Sequence, residues 1–194
     1  MKIPTPQICY RLQKEMGMLE NIVVHCQQVC RVALTLVNNM IEPSPNIDRK
    51  LIVAAALLHD ITKTRSFKTK EDHAQTGEQF LTEQAYPEVG QVVGQHVRLA
   101  DYDLNGQPNA AEIINYADKR VLHDQVVSLN RRMQYIVDQY GTDDERKRRI
   151  QWLWQQTKHL EDRLFKHISF KPHELETYLL ADIETALRDF SGPH

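Results

Sequence analysis

The stretch Leu51-Ile52-Val53-Ala54-Ala55-Ala56-Leu57-Leu58-His59-Asp60 sets the terms for the whole chain. Its apolar run, Leu51 to Leu58, is about half of what a bilayer-spanning helix needs. It reads instead as a helix buried nearly all round, with Asp48 placed to cap its first turn. The helix ends by delivering a histidine and a carboxylate together. Burying such an ionisable pair is costly unless something compensates for the charge, so the helix end asks for a partner.

On both sides of this stretch, apolar residues recur at helical spacing and strand-like alternation is scarce, which predicts an all-α fold. Toward the N-terminus, a short helix is expected over Gln7 to Met16. A longer one follows from about Glu20 to Met40, with Ile22, Cys26, Val29, Cys30, Ala33 and Leu34 among its inner residues; Pro43 and Pro45 end it. Toward the C-terminus, Ile61 to Lys70 has no sustained period and reads as a loop. Asp72 then caps a helix through Gln84, and a further helix follows Pro87 through about Val97. The segment LADYDLNGQPN, Leu99 to Asn109, reads as a surface loop, and Ala110 to Gln139 as one long helix closed by Gly141. Residues 142–190 are expected to give two helices separated near Lys171-Pro172, which cover the core or form a homodimer contact. The expectation is one domain over residues 1–194, with a core at about 20–135 and a C-terminal helical extension at about 142–190.

With 41% hydrophobic and 26% charged residues, the chain reads as an ordinary soluble globular protein. A net charge of -2 gives no general attraction for polyanions, which argues against a nucleic-acid partner. The basic trio Lys147-Arg148-Arg149 follows Asp143, Asp144 and Glu145, as at a solvated helix start. Three cysteines are too few for a disulfide framework and suit a reducing compartment. With no apolar membrane span or export signal visible, the expected location is cytoplasmic.

Of nine histidines, His123, His159, His167, His173 and His194 sit in charged or terminal settings where partial exposure explains them. Four remain: His25 within an apolar helix, His59 beside Asp60, His73 in HAQTG, and His96 in VVGQHV. The order of His25, then LLHD at Leu57 to Asp60, then Asp118 in YADKR at Tyr116 to Arg120, resembles the HD-domain phosphohydrolase superfamily over roughly residues 20 to 135. The resemblance implies an HD helical bundle in which His25, His59, Asp60 and Asp118 bind a first divalent metal. His73 with Gly77, and His96, are similar to the added histidines of two-metal members, in which the carboxylate corresponding to Asp60 bridges the ions. Imidazole and carboxylate donors suit Fe or Mn first, with Mg, Co, Ni and Zn also compatible. Lys63 matches a lysine that such members place near the scissile phosphate. Lys119 and Arg120 are candidates for further phosphate contacts, with ion pairing on a helix surface as the other explanation. Gly77 is expected to let helices approach closely.

The expected activity is therefore hydrolysis of a phosphate ester or anhydride of a nucleotide-type substrate by a metal-activated water, with Asp60 and Lys63 catalytic and Lys63 and Lys119 binding substrate. The pattern is similar to that of small bacterial diadenosine-tetraphosphate hydrolases. The missing Gly-Tyr-Pro signature and the Gln95-His96 pair argue against a cyclic-dinucleotide substrate. Three other readings stand beside this one: a one-metal nucleoside monophosphate phosphatase with His73 and His96 structural, a nucleotide-sensing module without turnover, and a two-iron oxygenase.

Overall fold

The computed structural model describes residues 2–45, 47–100 and 106–190. The fold is all-α. Helices α1 (Pro6–Glu15), α2 (Glu20–Asn38) and α3 (Arg49–Leu58) form its base, and α3 is the central element, with Ile52 to Leu58 at most 1% exposed. A helix buried on every side needs no amphipathic stripe, which is why its sequence is a continuous apolar run. Asp48 caps it by accepting from the backbone N–H groups of Lys50 and Leu51. Gln13 of α1 donates to the Leu57 carbonyl at 2.6 Å, tying down the end that carries His59.

Residues 61–70 depart from the expected loop: Lys63–Thr69 is helix α4. None of its residues is buried, so it has no core face to write an apolar period into the sequence. Lys70, in the left-handed region at φ 62, ends it. The two helices expected around Pro87 are α5 (His73–Glu83) and α6 (Pro87–Val93), packed as a hairpin. A Cβ on Gly77 would meet Val93 Cγ1 at 3.1 Å, so glycine there does permit close approach. Helix α6 stops at Val93, earlier than expected, and tight turns carry the chain on to His96.

The larger departure lies between residues 110 and 140. In place of one helix there are α7 (Ala110–Lys119), a hairpin of β1 (Val121–Leu122) and β2 (Gln125–Val126), and α8 (Leu129–Tyr140). The reversal falls on His123, at φ 57, next to Asp124. Histidine and aspartate are among the residues that tolerate this region, so the turn forms without glycine or proline. Of the surface loop expected at residues 99–109, residues 101–105 lie outside the described residues.

Helix α9 (Asp144–Leu164) starts on the Asp143 cap, and Lys147, Arg148 and Arg149 are exposed, as the solvated-face reading requires. The second expected C-terminal helix is instead a set of short pieces after Pro172, including α10 (Leu175–Tyr178) and α11 (Ile183–Leu187). These segments cover the core: Leu160, Leu164, Leu175 and Leu187 are buried in it, and Arg31 of α2 donates to the carbonyls of Leu180 and Ala181.

Helix α9 is also joined to α7 by a buried ion pair, Arg163 with Glu112, at 5% and 1% side-chain exposure. Removing one partner strands the other charge in the interior. Arg163→Met is expected to lower stability in urea unfolding by about 3 kcal/mol or more, and adding Glu112→Gln should restore part of the loss. An unchanged midpoint would show that the pair does not hold α9 in place.

Candidate metal centre

The six residues selected from the sequence converge. His25 comes from the second turn of α2, His59 and Asp60 from the end of α3, and His73 from the first position of α5. His96 comes from the turn after α6, and Asp118 from the last turn of α7 rather than from early in a long helix. The ligand-type atoms of His25, His59 and Asp118 lie within 4.8 Å of one another, and so do those of Asp60, His73 and His96.

Asp60 faces both groups at once. Its Oδ2 lies 3.4 Å from His59 Nε2 and 4.0 Å from His25 Nε2, while its Oδ1 lies 3.3 Å from His73 Nε2 and 3.5 Å from His96 Nε2. Cys26, buried as a core residue, also brings its sulfur within 4.8 Å of His59 and Asp60 ligand atoms.

The tautomers follow from the outward side of the rings. Nδ1 of His25 lies 2.9 Å from the His123 carbonyl, Nδ1 of His59 lies 2.8 Å from Ala56 O, and Nδ1 of His96 lies 2.7 Å from Val93 O. A carbonyl only accepts, so each Nδ1 carries the proton and donates. In a neutral ring each Nε2 then presents a lone pair to the centre, the arrangement that outer hydrogen bonds impose on metal-binding histidines. Facing these atoms are Asp118 Oδ1, 3.0 Å from His25 Nε2, and His73 Nε2, 3.1 Å from His96 Nε2. Among the described residues, His59 Nε2 and Asp60 Oδ1 are buried without hydrogen-bond partners. Nitrogen and carboxylate oxygen atoms packed this closely need positive charge between them, either protons on the rings or a cation, and together they are a donor set for a borderline or hard divalent cation. The residues fit a metal.

Burial works to raise both carboxyls, yet both are held well below the usual carboxylate range. His59 and Lys63 do this for Asp60; the His25 bond and the Arg132 charge do it for Asp118. Both are therefore ionised at neutral pH. Burial pushes the His96 ring below its usual value and so favours the neutral, ligating form. At His59 burial works to lower the ring, but Cys26 and Asp60 overcome it and hold it well above its usual value, so without a cation the ring itself carries the positive charge that the surrounding groups call for.

Other residues position these side chains. The Thr62 hydroxyl donates to His73 O at 2.8 Å, tying the turn after Asp60 to the start of α5. Asn115 donates to the carbonyls of Gln95 and His96, and Lys119 donates to His96 O, Asn115 O and Asn115 Oδ1. Together they hold the His96 turn. Burial lowers the Lys119 ammonium to about 8. Arg120 is not on a helix surface: it is 4% exposed and donates to Val127 O, the Tyr116 hydroxyl and Pro172 O. Lys63 places its ammonium 2.6 Å from Asp60 Oδ2. His123, set aside as exposed, is exposed, but its backbone carbonyl orients His25. Of the others set aside, His194 lies outside the described residues.

A family model described as HD domain matches residues 22–121, just over half of the chain, and encloses all six of these residues. The chain belongs to the HD-domain family, within the superfamily of metal-dependent phosphohydrolases. No solved structure matches it. Among the described residues, no helix is long and apolar enough to cross a membrane.

Proposed function

We propose that the protein hydrolyses a phosphate ester or anhydride of a nucleotide-type small molecule at a centre of two divalent cations, with iron or manganese the preferred metals. The observation that carries this reading is the division of Asp60, whose two oxygens face separate histidine pairs. His25, His59 and Asp118 would hold one ion, His73 and His96 the other, and Asp60 both. Bound there, such cations supply the acidity that makes water a nucleophile at neutral pH and offset charge on phosphoryl oxygens.

The cavity at the centre, about 560 Å³, is the size of a small-molecule site. Among the described residues its carboxylates are Asp60 and Asp118, and Lys63, Lys119 and Arg132 also line it. Any divalent cation therefore leaves the polar end net positive and selective for an anion. The far wall is made by Tyr135, Ile136 and Tyr140 of α8 with Ile150, Leu153 and Trp154 of α9. An anionic end beside an apolar, aromatic wall matches a phosphate attached to a nucleoside. Lys63 would meet the transferred phosphoryl group. Lys119 reaches the cavity too, but a phosphate there competes with the carbonyls its ammonium already holds.

Anaerobic purification with metal analysis is expected to find about two ions per chain, and a nucleotide screen with manganese or iron added is expected to find turnover. His73→Ala or His96→Ala should lower the content from about two ions toward one, whereas His25→Ala should weaken the other site. A wild type that takes up one ion under metal-replete, anaerobic conditions would overturn the two-metal reading in favour of a one-metal monophosphatase.

A further inference from the structure

Arg132 lies on α8, beyond the residues the family model matches, and lines the cavity of the metal centre. Its side chain is 16% exposed, and the nearest carboxylate oxygen among the described residues, Asp118 Oδ1, is 3.9 Å from Nη2, too far for a hydrogen bond. Its Nε is buried with no hydrogen-bond partner among the described residues. The guanidinium also packs near the Tyr135 ring, 5.9 Å from its centroid. A largely buried guanidinium that leaves a donor unused is costly in a folded protein unless an anion arrives to take it. Arg132 therefore stands at the junction of the cavity, with the ligand carboxylate Asp118 on one side and the aromatic wall of α8 on the other.

We propose that Arg132 anchors a second phosphate group, the one between the phosphoryl group that is cleaved and the apolar part of the substrate. This rests on the phosphohydrolase reading and narrows it, because a substrate with two linked phosphates fills both positions and a monophosphate fills one. The planar fork of arginine suits this task, since it can give two parallel hydrogen bonds to one phosphate. A phosphoanhydride is then the preferred substrate class. The second phosphate leaves with the apolar part once water has taken its place on the transferred phosphorus.

The test is a binding titration of the manganese-loaded protein with inorganic phosphate and with inorganic pyrophosphate. The wild type should bind pyrophosphate more tightly. Arg132→Met should keep the metal content and phosphate affinity, and lose about tenfold to a hundredfold in pyrophosphate affinity, the scale of a charged hydrogen-bond pair. Arg132→Lys should recover part of that loss and guards against a folding defect in the methionine variant. Unchanged pyrophosphate affinity in Arg132→Met would overturn the proposal. So would loss of metal together with equal weakening of both anions, which would make Arg132 a positioning residue for Asp118. A metal-loaded wild type that binds neither anion and hydrolyses no ester or anhydride would overturn the phosphohydrolase reading along with it.

Discussion

Asp60→Ala is expected to abolish metal uptake at both positions and to lower turnover by about four orders of magnitude or more, the scale on which members of one catalytic unit act. The reason is the placement of its two oxygens. Each histidine in the centre serves one side, but Asp60 faces both, so its loss opens both. The fold should survive, because Asp60 stands just past the end of α3, and the buried residues Ile52 to Leu58 hold that helix. The change also removes a fully buried charge, and Lys63, with 29% of its side chain exposed, can turn to water once its partner is gone. Circular dichroism should therefore stay close to wild type while metal analysis and phosphate release fall to background. A variant with full metal content and normal turnover would remove Asp60 from the centre.

How much of this was legible in the sequence depended on whether a residue's environment leaves a local trace. Helix α3 did, since burial on every side produces an unbroken apolar run, and His59-Asp60 was conspicuous as a polar pair attached to it. His25 was conspicuous for the same reason, as a polar residue among apolar ones. His73 and His96 lie 23 residues apart on a polar helix start and in a turn, and no periodicity links them; only the resemblance to a known pattern brought them together. Helix α4 left no trace because it buries nothing. The break after Lys119 was hidden because its turn residues, His123 and Asp124, carry ordinary side chains. The signal available was the pair of β-branched and apolar flanks in Val121-Leu122 and Gln125-Val126-Val127, short enough to be absorbed into a helical count.

That break matters for the site. The hairpin turns α8 back over the cavity, so it sets both the carbonyl that orients His25 and the position of Arg132. Neither Asn115 nor Arg132 could be singled out from spacing alone. Asn115 acts on His96 from 19 residues away, and Arg132 meets Asp118 only across the hairpin. The structure likewise supplied what the sequence left open about the C-terminal helices: α9 lends an apolar wall to the cavity and is fixed to α7 by the buried pair of Arg163 and Glu112.

Lys63→Met is expected to lower turnover by about a hundredfold or more, as loss of other well-placed electrostatic donors does, while metal affinity stays level or rises. The two parts of this expectation have one cause. The ammonium donates to Asp60 Oδ2, an oxygen that also faces His25 and His59, so lysine and a divalent cation compete for the same atom and repel each other. Removing the lysine relieves that competition. Freed from Oδ2, the wild-type ammonium remains at the cavity wall, where negative charge collects on a phosphoryl oxygen during transfer. A contact that strengthens with developing charge appears in the turnover number more than in the Michaelis constant. Lys63→Arg should restore only part of the activity, because its planar fork places the charge differently from a compact ammonium. Metal titration and steady-state kinetics on the same preparations separate the effects. If Lys63→Met loses metal, the lysine is a structural partner that keeps Asp60 in place; if it keeps both metal and full turnover, transfer proceeds without help from the lysine.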